Sequence, residues 1–205
     1  PSVYIGDDKL KISSTTGDRL RLGWGNTTFS IPFVHIFSPK LYSHTTFAGS
    51  FFRAKMRFET ANSWFNWDNE INDYTGETDL TWYPNARNTV EFGVEGKYLD
   101  SYLEGVSETW VFGRNTYDGA IISAYLTDDF RATESWTLSP GVRVERNTIQ
   151  KVNEVTPRLA IRKDIAPGAH ISAAGGTYTQ YLQLFRLGEG FASLFDSYIP
   201  LSDRF

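Results

Sequence analysis

Asp68-Asn69-Glu70 and Asp128-Asp129 put carboxylates close together, the raw material of general acid and base chemistry. Paired glycosidic acids, however, need a fixed separation across a cleft, and adjacency along the chain does not supply it. His35, His44 and His170 stand far apart, and no two have the compact spacing of a metal-ligand motif, so no metal site is expected. There is no Gly-x-Ser-x-Gly elbow, phosphate loop or zinc-binding helix. No catalytic residue is assigned, no cofactor is implied, and the expectation is a protein that is not an enzyme.

Two sets of side chains remain that suit binding. Arg53, Lys55, Arg57, Glu91, Glu95, Arg143, Arg158 and Arg162 each alternate with apolar neighbours, which places them on polar strand faces. Such a face could line a lumen and guide a charged solute, or its charges could pair across strands and stay hydrated. Trp64, Trp67, Tyr102, Trp110, Tyr117, Phe191 and Phe195 occupy or flank the connections expected to be long. Rings there could stack on a carbohydrate, chelate or peptide, or anchor the protein at a membrane interface. Trp82, Tyr98 and Trp136 are expected to be outward anchors.

The elements that must hold these side chains are strands. Trp136, Leu138, Pro140, Val142 and Val144 share one parity, and Thr137, Ser139, Gly141, Arg143 and Glu145 the other. Val155, Pro157, Leu159 and Ile161 repeat the pattern against Thr156, Arg158, Ala160 and Arg162. Val90, Phe92 and Val94 alternate with Glu91, Gly93 and Glu95, and Phe52, Ala54, Met56 and Phe58 with Arg53, Lys55 and Arg57. Turn residues at Ser38-Pro39, Pro84-Asn85, Arg131 to Ser135 and Pro167-Gly168 separate these runs. The pattern predicts eight strands in four hairpins, at about 22-37, 40-58, 65-83, 88-101, 119-130, 136-147, 152-164 and 169-185.

Short turns near 38-39, 84-87, 131-135 and 166-168 alternate with longer connections expected at 59-64, 102-118, 148-151 and after 185. That rhythm suits a barrel with tight turns at one rim and loops at the other. Gly6 to Lys9 and Thr15 to Asp18 read as an exposed loop before the first strand. Aromatic residues make up 16% of the chain, and rings pack well on a pleated surface. No apolar run is long enough for a transmembrane helix, which leaves crossing by strands open. Acidic and basic residues are interleaved at a net charge of -4, without the concentrated basic face that a nucleic acid would need. The absence of cysteine excludes a disulfide scaffold. One apolar face per strand would also suit a soluble sandwich, but the expected strands exceed the ~3–10 residues usual in globular sheets.

Four segments in order, Ser123 to Phe130, Leu138 to Glu145, Thr156 to Arg162 and Gly176 to Gln183, resemble the barrel domain of TonB-dependent outer-membrane receptors. Trp24 to Thr28, His35 to Leu41 and the Thr78 to Tyr98 hairpin extend the likeness over nearly the whole chain, and it is similar to the nutrient-uptake receptors of gliding and gut-type Gram-negative bacteria. The resemblance implies an all-β, antiparallel 22-stranded transmembrane barrel in the Gram-negative outer membrane, filled by an N-terminal plug. Its partners would be outer-membrane lipid, the rest of the barrel and the plug, a TonB-type energy-coupling complex acting through that plug, and a surface lipoprotein. No plug or energy-coupling box is legible here, so residues 1-205 are expected to be a partial barrel domain. A small eight-stranded barrel with a structural or adhesive role is the alternative.

Overall fold

The computed structural model describes residues 1–180, 182–185 and 197–200, with the backbone alone at 112–115, 182–185 and 197–200. Nine strands follow one another in a meander: β1 (Ser2–Ser13), β2 (Arg19–Ser38), β3 (Leu41–Glu59), β4 (Trp64–Asn85), β5 (Asn88–Ser107), β6 (Val111–Arg131), β7 (Trp136–Asn147), β8 (Val152–Ala166) and β9 (Ala169–Gly176). Each pairs antiparallel with its sequence neighbours in one sheet, and β1 and β9 are its two edges. Two further strands, β10 (Leu182–Phe185) and β11 (Ser197–Pro200), form a separate ladder.

Local side-chain chemistry closes the turns. Asn85 Oδ1 accepts the backbone N–H groups of Arg87 and Asn88 at 2.8 and 3.2 Å, so the side chain itself shapes the β4–β5 turn. Thr133 Oγ1 does the same for Ser135 and Trp136 between β6 and β7, and Asn147 Oδ1 for Ile149 and Gln150 between β7 and β8. At the β8–β9 turn Gly168 has φ 77°, which glycine adopts without steric cost.

Three expectations are corrected. The sheet has nine strands, not eight, because the supposed N-terminal loop is β1: its backbone pairs with β2 from Ser2↔Ser30 to Ser13↔Arg19. A ladder needs only backbone groups, so Gly6, Asp7, Asp8 and Lys9 can join it despite their low strand preference. The long connection expected at 102-118 does not exist either, since β5 runs to Ser107, β6 starts at Val111 and 108–110 makes the turn. The last strand stops at Gly176 instead of continuing to 185, and 182–185, expected as its end, pair instead with 197–200 in what was expected to be a long connection. With β1 and β9 unpaired to each other, the described sheet is not an eight-stranded closed barrel.

Cross-strand register decides which residues share a face. Tracing partners from Arg53 through Glu70 to Tyr102, and from Phe47 through Gly76 to Gly96 and Ile122, defines one face; Ala54, Asn69 and Leu103 lie on the other. Leu22, Ala54, Asn69, Thr81, Leu99, Ser101, Tyr117, Ser123, Asn147 and Thr156 are buried on this second face, whereas the first buries Ser43 and Gly49. The second face is therefore called inner and the first outer.

Candidate functional site

The sheet has a turn end, carrying connections 39–40, 86–87, 132–135 and 167–168, and a loop end, carrying 14–18, 60–63, 108–110 and 148–151. Both faces change character between them. On the inner face of β4, Asp73, Thr75, Glu77, Asp79 and Thr81 lie toward the turn end, while Ile71, Trp67 and Phe65 lie toward the loop end. On the outer face of the same strand Tyr74, Leu80 and Trp82 give way to Asn72, Glu70 and Asp68. Polarity thus inverts on both faces at residues 71–74 without a break in register.

The inner turn-end region is a charged network. Arg143 places Nη2 3.3 Å from Glu95 Oε1 and 3.0 Å from Glu145 Oε2, bridging β5 and β7 over Ser123 of β6. Lys97 Nζ lies 3.3 Å from Asp73 Oδ2. Tyr125 donates its hydroxyl to Asp79 Oδ1 at 2.6 Å, reaching from β6 to β4 across β5. It can do so because the intervening residue is Gly93, where an added Cβ would lie 2.6 Å from the tyrosine ring and 2.5 Å from the carboxylate. Neither side chain was singled out from sequence. The signal would have been the register row Asp79–Gly93–Tyr125, which no single strand displays.

The inner loop-end region is largely apolar, with the polar side chains of Asn69 and Ser101 buried in it. Leu10, Leu22, Met56 and Trp67 form one register row across β1 to β4, and Phe65 lies 6.0 Å from Trp67 by ring centroids.

On the outer face toward the turn end, large apolar side chains stand exposed: Phe47 at 56%, Val94 at 58% and Val155 at 63%. A chain of rings crosses four strands at its upper limit, with centroids 6.3 Å apart for Phe29–Phe51, 5.2 Å for Phe51–Tyr74 and 6.4 Å for Tyr74–Tyr98. Trp82 and Trp136 mark its lower limit near the turns, with Lys163 Nζ 5.0 Å above the Trp136 ring. The expected anchors Trp82, Tyr98 and Trp136 all lie on this face.

The eight charges expected to share a face are split. Glu91, Glu95, Arg143, Arg158 and Arg162 are inner, whereas Arg53, Lys55 and Arg57 are outer, in the parity of Phe47 and Phe51. Alternation within β3 was legible, but the inversion between Phe51 and Arg53 makes the loop-end apolar set Phe52, Ala54, Met56 and Phe58 inner. The aromatic set divides too. Trp67 and Tyr117 are inner strand residues, and Trp64 and Tyr102 are outer ones. Trp110 lies in the 108–110 turn, and Phe191 and Phe195 lie outside the described residues. Among the described residues no group of three His, Asp or Glu side chains could hold a metal.

A meander of this length, with an exposed apolar band between aromatic belts and a charged inner face, agrees with the family model described as TonB dependent receptor-like, beta-barrel, which matches residues 3–202. The chain belongs to the TonB-dependent receptor family. No curated protein and no solved structure matches it. TonB-dependent receptors are proteins of the Gram-negative outer membrane and serve transport, not catalysis.

Proposed function

We propose that these nine strands form a contiguous part of the wall of a closed, 22-stranded, plug-filled barrel that imports a scarce nutrient, using energy delivered to the plug by a TonB-type inner-membrane complex. The outer turn-end band faces lipid, and the inner charged network faces the plug. The inner loop-end region belongs to the mouth that first meets the nutrient, where a surface lipoprotein would also dock.

The carrying observation is the inversion of polarity on both faces at one level of the sheet. A sheet passing from lipid into water must exchange apolar for charged residues on its outside at the lipid surface. From Tyr74 to Trp82 is eight residues, roughly 26 Å along the strand at ~3.3 Å per residue. At the ~35–45° tilt usual in such barrels this rises about 19–22 Å, most of the height of an apolar band ~25 Å tall. Strands that continue past Tyr74 to Trp64 then project from the membrane, and their inner rings can contact a solute. Of the aromatic candidates, Trp67 suits that role, whereas Tyr117 is inner but buried. Trp64 and Tyr102 do not suit it, because they face away from it.

The segment has no cysteine, so single cysteines report cleanly. In full-length receptor in native membranes, cysteines at Val94, Val142 and Leu159 should react with an acyl-chain-borne maleimide, and one at Glu95 only with a water-soluble reagent. The opposite pattern would reject the wall assignment. Growth with a polymeric carbohydrate, an iron chelate or a peptide as limiting nutrient, with and without the receptor gene, would then identify the nutrient class.

A further inference from the structure

We infer that the loop-end stretch of β6 is a docking edge, on which a second cell-surface protein adds an extended strand with lysine or arginine at alternate positions. This rests on the membrane orientation proposed above, which puts the loop end outside the cell. β6 stays paired to β5 as far as Val106↔Val111, but its pairing with β7 begins only at Ile121↔Asn147. Among the described residues, Val111 to Gly119 therefore have a ladder on one side alone, over about 30 Å at ~3.3 Å per residue. The cover ends at the β7–β8 turn. There Ala120 donates its N–H to Thr148 Oγ1 at 2.7 Å and its C=O accepts the Thr148 N–H at 2.9 Å. Ile149 closes over Gly119, where an added Cβ would lie 2.6 Å from its side chain.

Both backbone groups of Ala120 thus point away from β5. In an antiparallel strand these groups alternate sides, so the N–H and C=O of Asp118 and Thr116 point the same way, past the end of β7. The edges of β1 and β9 are different in kind. Further wall strands can pair with them when the barrel closes, and closure removes edges. The place beside upper β6 belongs to β7, which stops at Asn147 and cannot fill it. An unpaired row of N–H and C=O groups is a template for an extended segment.

Charge selects the occupant. Asp118 is exposed on the outer face at this edge and faces Asp100 in register, with Glu104 further along the same face of β5. Among the described residues no lysine or arginine of β5 or β6 lies on that loop-end face. Pairing with a second copy of the chain would lay one acidic flank beside another, which cross-strand electrostatics disfavour. The chain's own later strands, Leu182–Phe185 and Ser197–Pro200, carry no cation and pair with each other. A cationic strand from another protein matches both the backbone and the charge. At the far end of the edge Trp110 and Val111, 64% and 58% exposed, offer it an apolar contact.

The test uses full-length receptor in lipid nanodiscs and a synthetic peptide of alternating lysine and valine, as long as the open edge, with a glutamate–valine twin. Hydrogen exchange should find the Thr116 and Asp118 amides open in the free receptor and protected when the lysine peptide binds. Thr116→Pro removes an edge N–H that β5 does not use, and should weaken the peptide roughly tenfold, the worth of about one good hydrogen bond. Asp118→Lys should turn the preference toward the glutamate twin, and it decides the matter if Thr116→Pro does not fold. Four results overturn the inference: amides already protected in the free receptor, equal binding of the two peptides, undiminished binding to folded Thr116→Pro, or a receptor dimer that Thr116→Pro abolishes. Labelling of Thr109→Cys by an impermeant maleimide on intact cells separates the two levels. If it fails, the orientation is wrong, and if it succeeds while the peptide does not bind, only the docking edge is wrong.

Discussion

The turn-end and loop-end halves of the sheet share backbone, register and alternation, yet their faces are chemically reversed. In β4 the inner neighbours Ile71 and Asp73 differ as sharply as the outer neighbours Asn72 and Tyr74. A strand of such a wall has no single apolar side along its whole length. Its outer residues follow the solvent at each height, and its inner residues follow what fills the interior there.

The largest effect should come from giving both halves the same outer substitution. Leu126→Arg places a cation in the band beside Val142 and Phe92, where a lipid-facing arginine costs ~2–4 kcal/mol near the midplane. Thr116→Arg puts the same side chain on the outer face beyond the belt, opposite Tyr102 and one same-face step from Asp118, where the cost should be near zero. Urea unfolding of full-length receptor in vesicles reads both. Equal losses at the two positions would erase the difference between the halves.

Next in size is a comparison of two glycines in β5. Gly93→Val would drive a side chain against Asp79, Tyr125 and the Thr78 carbonyl, all within 2.9 Å of its Cβ, and part the Tyr125–Asp79 bond. Overpacking with a lost hydrogen bond should cost ~1–3 kcal/mol. Gly96→Val meets nothing within 4 Å on the outer face and should be neutral or slightly stabilising, because a β-branched residue suits a strand. A urea midpoint for Gly96→Val that falls as far as that for Gly93→Val would show that the inner network is not what Gly93 protects.

How far all this was readable from sequence follows from the range of each cause. Alternation at Trp136 to Glu145 and Val155 to Arg162 is local, and it gave β7 and β8 and the inner positions of Arg143, Arg158 and Arg162. The same local signal does not show that Arg53, Lys55 and Arg57 lie on the face opposite those arginines, because relative facing along such long strands is read only from their partners in β4 and β5. β1 was missed since Gly6, Asp7 and Asp8 carry no strand preference and gain their conformation from β2. The Tyr125–Asp79 bond needed three strands in register before it could be seen.

A smaller effect is expected at the lower belt. Lys163 lies over Trp136 at 5.0 Å, and Lys163→Gln should lose ~0.5–1 kcal/mol if the pair sits at the interface, as exposed cation–π contacts do. A loss well above this in urea unfolding would place the pair in a drier setting than the aromatic belt.

The smallest effect is expected at Lys55, in an exposed pair on the outer loop-end face. Its partners Asp68 and Glu70 are each 3.7 Å away, and side-chain exposures of 53%, 39% and 40% leave both pairs open to water and salt. Exposed pairs of this kind contribute ~0–1 kcal/mol, so Lys55→Gln should move the urea midpoint by an amount near the error of the measurement. A fall in stability as large as that of Gly93→Val would mean that Lys55 is held in a buried structural pair, and that the outer loop-end face resembles the inner network more than its exposure suggests.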